Sequence, residues 1–210
     1  GAIQTNVNGA NLTDARLSGA GVTPSNYNTG APGNNTGNLG VTFTAANAGV
    51  LTPLAGQVLN LRSNFGNIAD QKLDIVLGAG AAAYNMAAGN AAPSPVTVAN
   101  QRVGGSNISI LTITNTAPGG AFTEKLNAAI TNPTGQAQTF GDTIALLAGG
   151  ASNNSAMRVG VNTSSAGAKS GTVTMAYQSD GTGTSGLSAI DIGSQTVNVS
   201  GNVYRLAQGS

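Results

Sequence analysis

Two stretches near the end of the chain alternate strictly between apolar and polar positions. In "GTVTMAYQ" (171–178), Val173, Met175 and Tyr177 alternate with Thr172, Thr174 and Ala176. In "QTVNVS" (195–200), Val197 and Val199 alternate with Thr196, Asn198 and Ser200. A period of two built on β-branched residues predicts half-buried strands. "NISILTIT" (107–114) is apolar on both faces and predicts a central strand. The helical signal is thin. "FTEKLNAAI" (122–130) predicts a turn or two of helix, but the related "LTDARLSGAGV" (12–22) carries glycines that weaken it. Short strands split by Gly, Asn and Pro turns predict an all-β sandwich whose two sheets supply the core from their inward faces.

The chain also repeats itself. "AYNMAAGN" (83–90) and "VYRLAQGS" (203–210) share one phrase, with Tyr84 and Tyr204 at matching places. "LGVTFTAANAG" (39–49) parallels "MRVGVNTSSAG" (157–167), "QKLDIVLG" (71–78) parallels "QTVNVSGN" (195–202), and "LTDARLSGA" (12–20) parallels "FTEKLNAA" (122–129). Self-similarity of this kind predicts two related units. The expected division is a first sandwich over 1–88, a linker over 89–95 stiffened by Pro93 and Pro95, and a second sandwich over 96–210. The first unit is shorter. With "TN" at 5–6 set against "TN" at 114–115, it lacks the equivalent of roughly 95–112. A sandwich missing a strand leaves an apolar slot and unpaired edges, which folded proteins avoid. Three fillers remain open: a strand from another copy, a preceding part of a longer chain, or residues 1–8 themselves. If a copy donates, the donor is the N-terminal "GAIQTNVNG" or the C-terminal "GNVYRLAQGS".

Composition narrows the function classes. Two hundred and ten residues suit two domains of roughly 100 each. Charged residues make up 7% and the net charge is +1, with the eight Lys and Arg scattered singly, so nucleic acid is not an expected partner. The hydrophobic content of 40% separates the chain from disordered sequences, and the 31 glycines suit many tight turns. No apolar run approaches the ~18 residues of a membrane span. There is no cysteine and no histidine, so thiolate and imidazole chemistry, as nucleophile, base or metal ligand, has no residues to use. The carboxylates Asp14, Asp70, Asp74, Glu124, Asp142, Asp180 and Asp191 are dispersed, and neither an enzyme, a metal site nor a cofactor is expected.

Several motifs invite a chemical reading. "SDGTGTSG" (179–186) lacks the acidic ladder of a calcium loop and the Gly-Lys-Ser/Thr of a phosphate loop, and reads as a glycine-rich hairpin. Of the Asn-x-Ser/Thr sequons, Asn11, Asn34, Asn153 and Asn162 are candidate glycosylation sites, whereas Asn107 opens a strand. The three lysines, Lys72, Lys125 and Lys169, read as solvated rather than as isopeptide cross-linkers. Tyr84, Pro93, Pro95, Tyr204 and Leu206 mark the domain junctions. The tyrosines are expected to be packing anchors with a hydroxyl at the rim.

"VANQRVGGSNISILTITNTAPGGAFTEKLNAA", "SSAGAKSGTVTMAYQSDGTGTSGL" and "GSQTVNVSGNVYRLAQGS" resemble the bacterial surface repeats called choice-of-anchor D domains. The match covers about 84–210 well and 1–83 as a diverged, N-terminally shortened copy. The resemblance implies two tandem immunoglobulin-like β-sandwiches, the first lacking its N-terminal strand or strands. It also implies an extracellular or cell-surface location and a structural or adhesive role without catalysis. On this reading the chain is a subunit of a homopolymeric surface filament or layer joined by donated strands, its partners being other copies of itself and a surface carbohydrate or cell-envelope anchor. The alternatives are a piece of a long monomeric adhesin or stalk, and a carbohydrate-binding module. The last is disfavoured by 4% aromatics and no Trp.

Overall fold

The computed structural model describes residues 4–8, 12–19, 22, 25–28, 40–63, 69, 71–106, 108–141 and 143–209. The candidate glycosylation sites Asn11 and Asn34 lie outside these residues, as do Asp70, Asn107 and Asp142. The described residues form strands and turns with no helix, and divide into two compact units, Gly1–Ala83 and Tyr84–Ser210.

The second unit is an immunoglobulin-like sandwich. Its strands are β9 (Gly89–Ala92), β10 (Val96–Thr97), β11 (Gln101–Arg102), β12 (Ile108–Asn115), β13 (Lys125–Thr131), β14 (Ala137–Phe140), β15 (Thr143–Leu147), β16 (Ser152–Val161), β17 (Gly167–Asp180) and β18 (Ile190–Tyr204). One sheet has the order β14-β16-β12-β9; the other has β10-β18-β17-β13-β15, with β11 also on β18. The alternation read from the sequence places Val173, Met175 and Tyr177 of β17 and Val197 and Val199 of β18 inward, and Val203 further along β18 is buried as well. They meet Leu111 and Ile113 of β12 and Met157, Val159 and Val161 of β16 in one core. Each such side chain contributes ~1.5–3 kcal/mol on burial.

Both edges of this sandwich are closed by a strand that changes sheets. β9 pairs with β12, the chain bends at Pro93-Ser94-Pro95, and β10 and β11 then run parallel to β18 in the other sheet. At the opposite edge β14 pairs with β16, and after Gly141 β15 pairs with β13. Gly141 has φ +86°, and a Cβ there would overlap the Ala156 carbonyl oxygen, so glycine is required at this crossover.

The first unit repeats the later part of this plan. Its strands are β1 (Gln4–Asn8), β2 (Leu17–Ser18), β3 (Ser25–Asn28), β4 (Thr42–Phe43), β5 (Gly49–Val50), β6 (Val58–Ser63), β7 (Gln71–Asp74) and β8 (Ala82–Ala83). The sheet order β3-β1-β6-β7 reproduces β15-β13-β17-β18, and the pair β2-β4 reproduces β14-β16, in the same chain order. A core of Leu12, Leu17, Leu54 and Leu59 holds it together, flanked by Val41, Phe43 and Ile75. The turn at 13–16 is pinned by Gln57, whose Oε1 accepts from the amides of Thr13 (2.7 Å) and Asp14 (3.0 Å). Arg16 grips Asp14 through Nε (2.9 Å) and Nη2 (2.7 Å) and lies over the Phe43 ring. That guanidinium holds the Asp14 carboxyl down at about 2.

Several expectations are corrected. "KLNAAIT" is strand β13, not helix, because Leu126, Ala128 and Ile130 alternate into the core and tertiary burial overrides the helix propensity of Leu and Ala. "LTDARLSGA" is therefore not the counterpart of "FTEKLNAA"; it follows β1, where the second unit has the link from β13 to β14. Among the described residues, the first unit lacks counterparts of everything from β9 to β12, an edge strand and an inner strand, rather than the equivalent of 95–112 alone. Residues 89–92 are strand β9 rather than linker, and the units divide between Ala83 and Tyr84 rather than at 88. β12 is internal to its sheet, as expected, but Ile108 and Ile110 on its outer face are exposed. Lys169 is buried rather than solvated, with Nζ donating to Ser165 Oγ at 2.8 Å.

Candidate functional site at the leading edge of the second sandwich

The described residues contain no group of three or more His, Cys, Asp or Glu that could hold a metal. Among them, no helix is long and apolar enough to cross a membrane, which does not bear on strand-built barrels. A cleft of about 650 Å³ is lined by Val103, Ser165, Arg205, Leu206 and Gln208 and gathers no acid–base pair. The feature with the densest specific bonding is the segment that opens the second unit, the first copy of the repeated phrase.

Residues 84–92 enter the sandwich through a series of tertiary bonds. The Tyr84 ring packs on Phe122, centroids 5.5 Å apart and tilted by 50°. Asn85 donates from its amide to the Phe122 carbonyl and accepts at its own carbonyl from the Glu124 amide, both at 2.9 Å. The Ala87 amide donates to Ser179 Oγ (2.8 Å), which in turn donates to Glu124 Oε2 (2.6 Å). The other oxygen of this buried carboxylate accepts from Ser185 Oγ, tying the 181–186 turn to the same point. That turn is the hairpin loop between β17 and β18 expected for "SDGTGTSG".

Asn115 is fully buried and uses its whole amide. Its Oδ1 accepts from the amides of Ala88 (3.1 Å) and Ala117 (3.3 Å), and its Nδ2 donates to the carbonyls of Leu147 (3.1 Å) and Glu124 (3.3 Å). Gln195 closes the far side: Ala91 donates to its Oε1 (2.8 Å) and accepts from its Nε2 (2.9 Å). These are backbone groups of Ala91 that a neighbouring strand would otherwise satisfy, so the bridge blunts the sheet edge. Tyr177 donates from its hydroxyl to the same Gln195 oxygen at 3.0 Å, and burial pushes its phenol up to about 12. Gly89 lies on the Tyr177 ring, where any Cβ would collide with the ring carbons.

The junction residues split accordingly. Tyr84 is a packing anchor, within the second unit, on Phe122. Pro93 and Pro95 are exposed and form the bend between sheets. Tyr204 ends β18, paired with Arg102, and its side chain is 53% exposed; Leu206 is 66% exposed. Asn153 is half-buried, its Oδ1 accepting from the Ser155 and Ala156 amides in the irregular part of β16, and half-buried Asn162 accepts from the Ser164 amide. The sequence reading missed Asn115, Ser179 and Gln195. A signal was present: each continues the inward register of an alternating strand, where a polar side chain must find buried partners.

No family model matches the chain, and no curated protein matches it. Among solved structures it is similar to the ASH / PapD-like domain of human CEP192 (PapD-like domain 7), with 8% identity over 57% of this chain and 87% of that chain and a TM-score of 0.43.

Proposed function

We propose that the protein is a non-catalytic structural segment of a bacterial extracellular surface protein, built from immunoglobulin-like sandwiches in series. One observation carries this reading: the phrase that opens the second sandwich at 84–89 recurs at 204–209, starting on the final residue of that sandwich's last strand. The net charge of +1 leaves little mutual repulsion between sandwiches joined in one chain. The resemblance to choice-of-anchor D repeats supports the location and the absence of catalysis.

A homopolymer joined by donated strands is the second reading, favoured by the lack of counterparts of β9 to β12 among the described residues of the first unit. Two strand positions of the second unit have no counterpart among the described residues of the first, and one donated strand would supply one of them. The expected N-terminal donor is internal to its own sheet, since β1 pairs with both β3 and β6. Of the expected C-terminal donor, residues 201–204 belong to β18. Sedimentation of the chain across a hundredfold range of concentration, with electron microscopy of the same samples, tests the choice. A serial segment stays monomeric. Filaments of regular subunit rise assign the chain to a homopolymer instead.

A further inference from the structure

We propose that residues 204–209 are the segment that leads into the edge strand of another sandwich built like the second unit, held in a slot equivalent to the one that 84–89 occupy. The inference rests on the serial reading and names the partner: a sandwich with a tyrosine ring, a buried asparagine and a serine hydroxyl where the second unit has Tyr177, Asn115 and Ser179.

The second copy of the phrase meets the slot's main demands. The slot constrains three positions. Tyr84 must stack on Phe122, Ala87 is buried with its amide on Ser179, and Gly89 sits against the Tyr177 ring. The tail carries Tyr204, Ala207 and Gly209 at those places. Met86 and Ala88 are exposed in the slot, and there the tail differs, with Leu206 and Gln208. Half-buried Asn85, whose Nδ2 donates to Thr123 Oγ1 at 3.3 Å, is replaced by Arg205 in the tail, so that side-chain bond is not carried over. Identity covers the three positions where bulk or stacking matters, and two of the three differences fall where the slot faces solvent.

Nothing in the tail's present surroundings explains the match. Residues 205–209 are exposed and belong to no strand. A Cβ on Gly209 would meet nothing within 4 Å, and its φ lies outside the left-handed region, so glycine is not needed where it now lies. It is needed if the segment is to lie across a tyrosine ring as Gly89 does. Strand addition of this kind draws affinity from main-chain pairing and specificity from alternate side-chain sites.

The test vacates a slot in the full chain and asks whether another copy's tail enters it. Gly89→Val drives a side chain into the Tyr177 ring and displaces the resident segment. Thr116 lies beside Ala88, its amide donating to the Ala88 carbonyl at 2.7 Å, so Gln208, the tail's equivalent of Ala88, would come to lie beside Thr116 of the receiving copy. The chain has no cysteine of its own, so Thr116→Cys with Gln208→Cys reports this docking as intermolecular disulfides. The expected result is a ladder of linked species in the triple variant, lost when Gly209→Val is added. No ladder, or a ladder indifferent to Gly209→Val, overturns the proposal. If Gly89→Val prevents folding, a synthetic peptide of residues 203–210 is added. It should restore a cooperative melting transition, and the same peptide with Gly209→Val should not; failure to restore overturns the proposal as well. Neither failure touches the serial reading, which stands or falls on the unmodified chain's sedimentation.

Discussion

Asn115→Ala is the most informative single perturbation of the second sandwich. The substitution removes four hydrogen bonds at once. Two of the abandoned groups, the Ala117 amide and the Glu124 carbonyl, belong to buried residues, and each costs about 1–3 kcal/mol when left unpaired. The Ala88 amide belongs to an exposed residue and the Leu147 carbonyl to a half-buried one, so water recovers much of their loss. Lost packing around a fully buried side chain adds to this, and the expected destabilisation is about 3–5 kcal/mol. Set against the ~5–15 kcal/mol of a typical domain, that is a large fraction. Urea unfolding followed by tyrosine fluorescence reads it as a lower midpoint at unchanged slope. Hydrogen exchange should show the Ala88 and Ala117 amides losing protection together, because one side-chain oxygen serves both. A cost below about 1 kcal/mol, or a large cost with Ala117 still protected, would refute the view that Asn115 is the hub fixing the leading edge.

Two further outcomes test the sandwich elsewhere. Gly141→Ala should cost at least ~2 kcal/mol in thermal unfolding, since it adds a clash with the Ala156 carbonyl to the ~1–2 kcal/mol of a left-handed alanine, whereas Gly193→Ala, at φ +105° with open space around it, should cost only the conformational part. The Tyr177 phenol is raised from 10.0 to about 12 by burial, so its contribution to stability is fully present below pH 10 and is lost as pH rises towards 12, where the unfolded chain ionises first; the melting temperature should fall across that window, and Tyr177→Phe should flatten the fall while lowering stability by ~1 kcal/mol through the lost bond to Gln195.

Much of the architecture was legible in the sequence because alternation is a local signal. Val173, Met175 and Tyr177, and Val197 and Val199, declare inward faces by spacing alone, and the repeated phrases declare two units. Local pattern also set the errors. "KLNAAI" contains a strand alternation, but Ala129 blurs it, and Leu, Ala and Lys favour a helix when neighbours are ignored. The short "TN" match at 5–6 misaligned the first unit, whose true register shows only in pairing, with β1 between β3 and β6 as β13 lies between β15 and β17.

By itself the sequence determined the strand character, the duplication and the lack of residues for thiol or imidazole chemistry, since these follow from residue identity and spacing along one strand. Only the tertiary structure decided where the repeated phrase belongs. The phrase looks like the end of one unit when read along the chain. Its first copy opens the second unit, because Asn115 and Ser179, 25 or more residues away, hold its backbone. Alternation along one strand marks such a side chain as inward, but it does not say which distant segment that side chain holds.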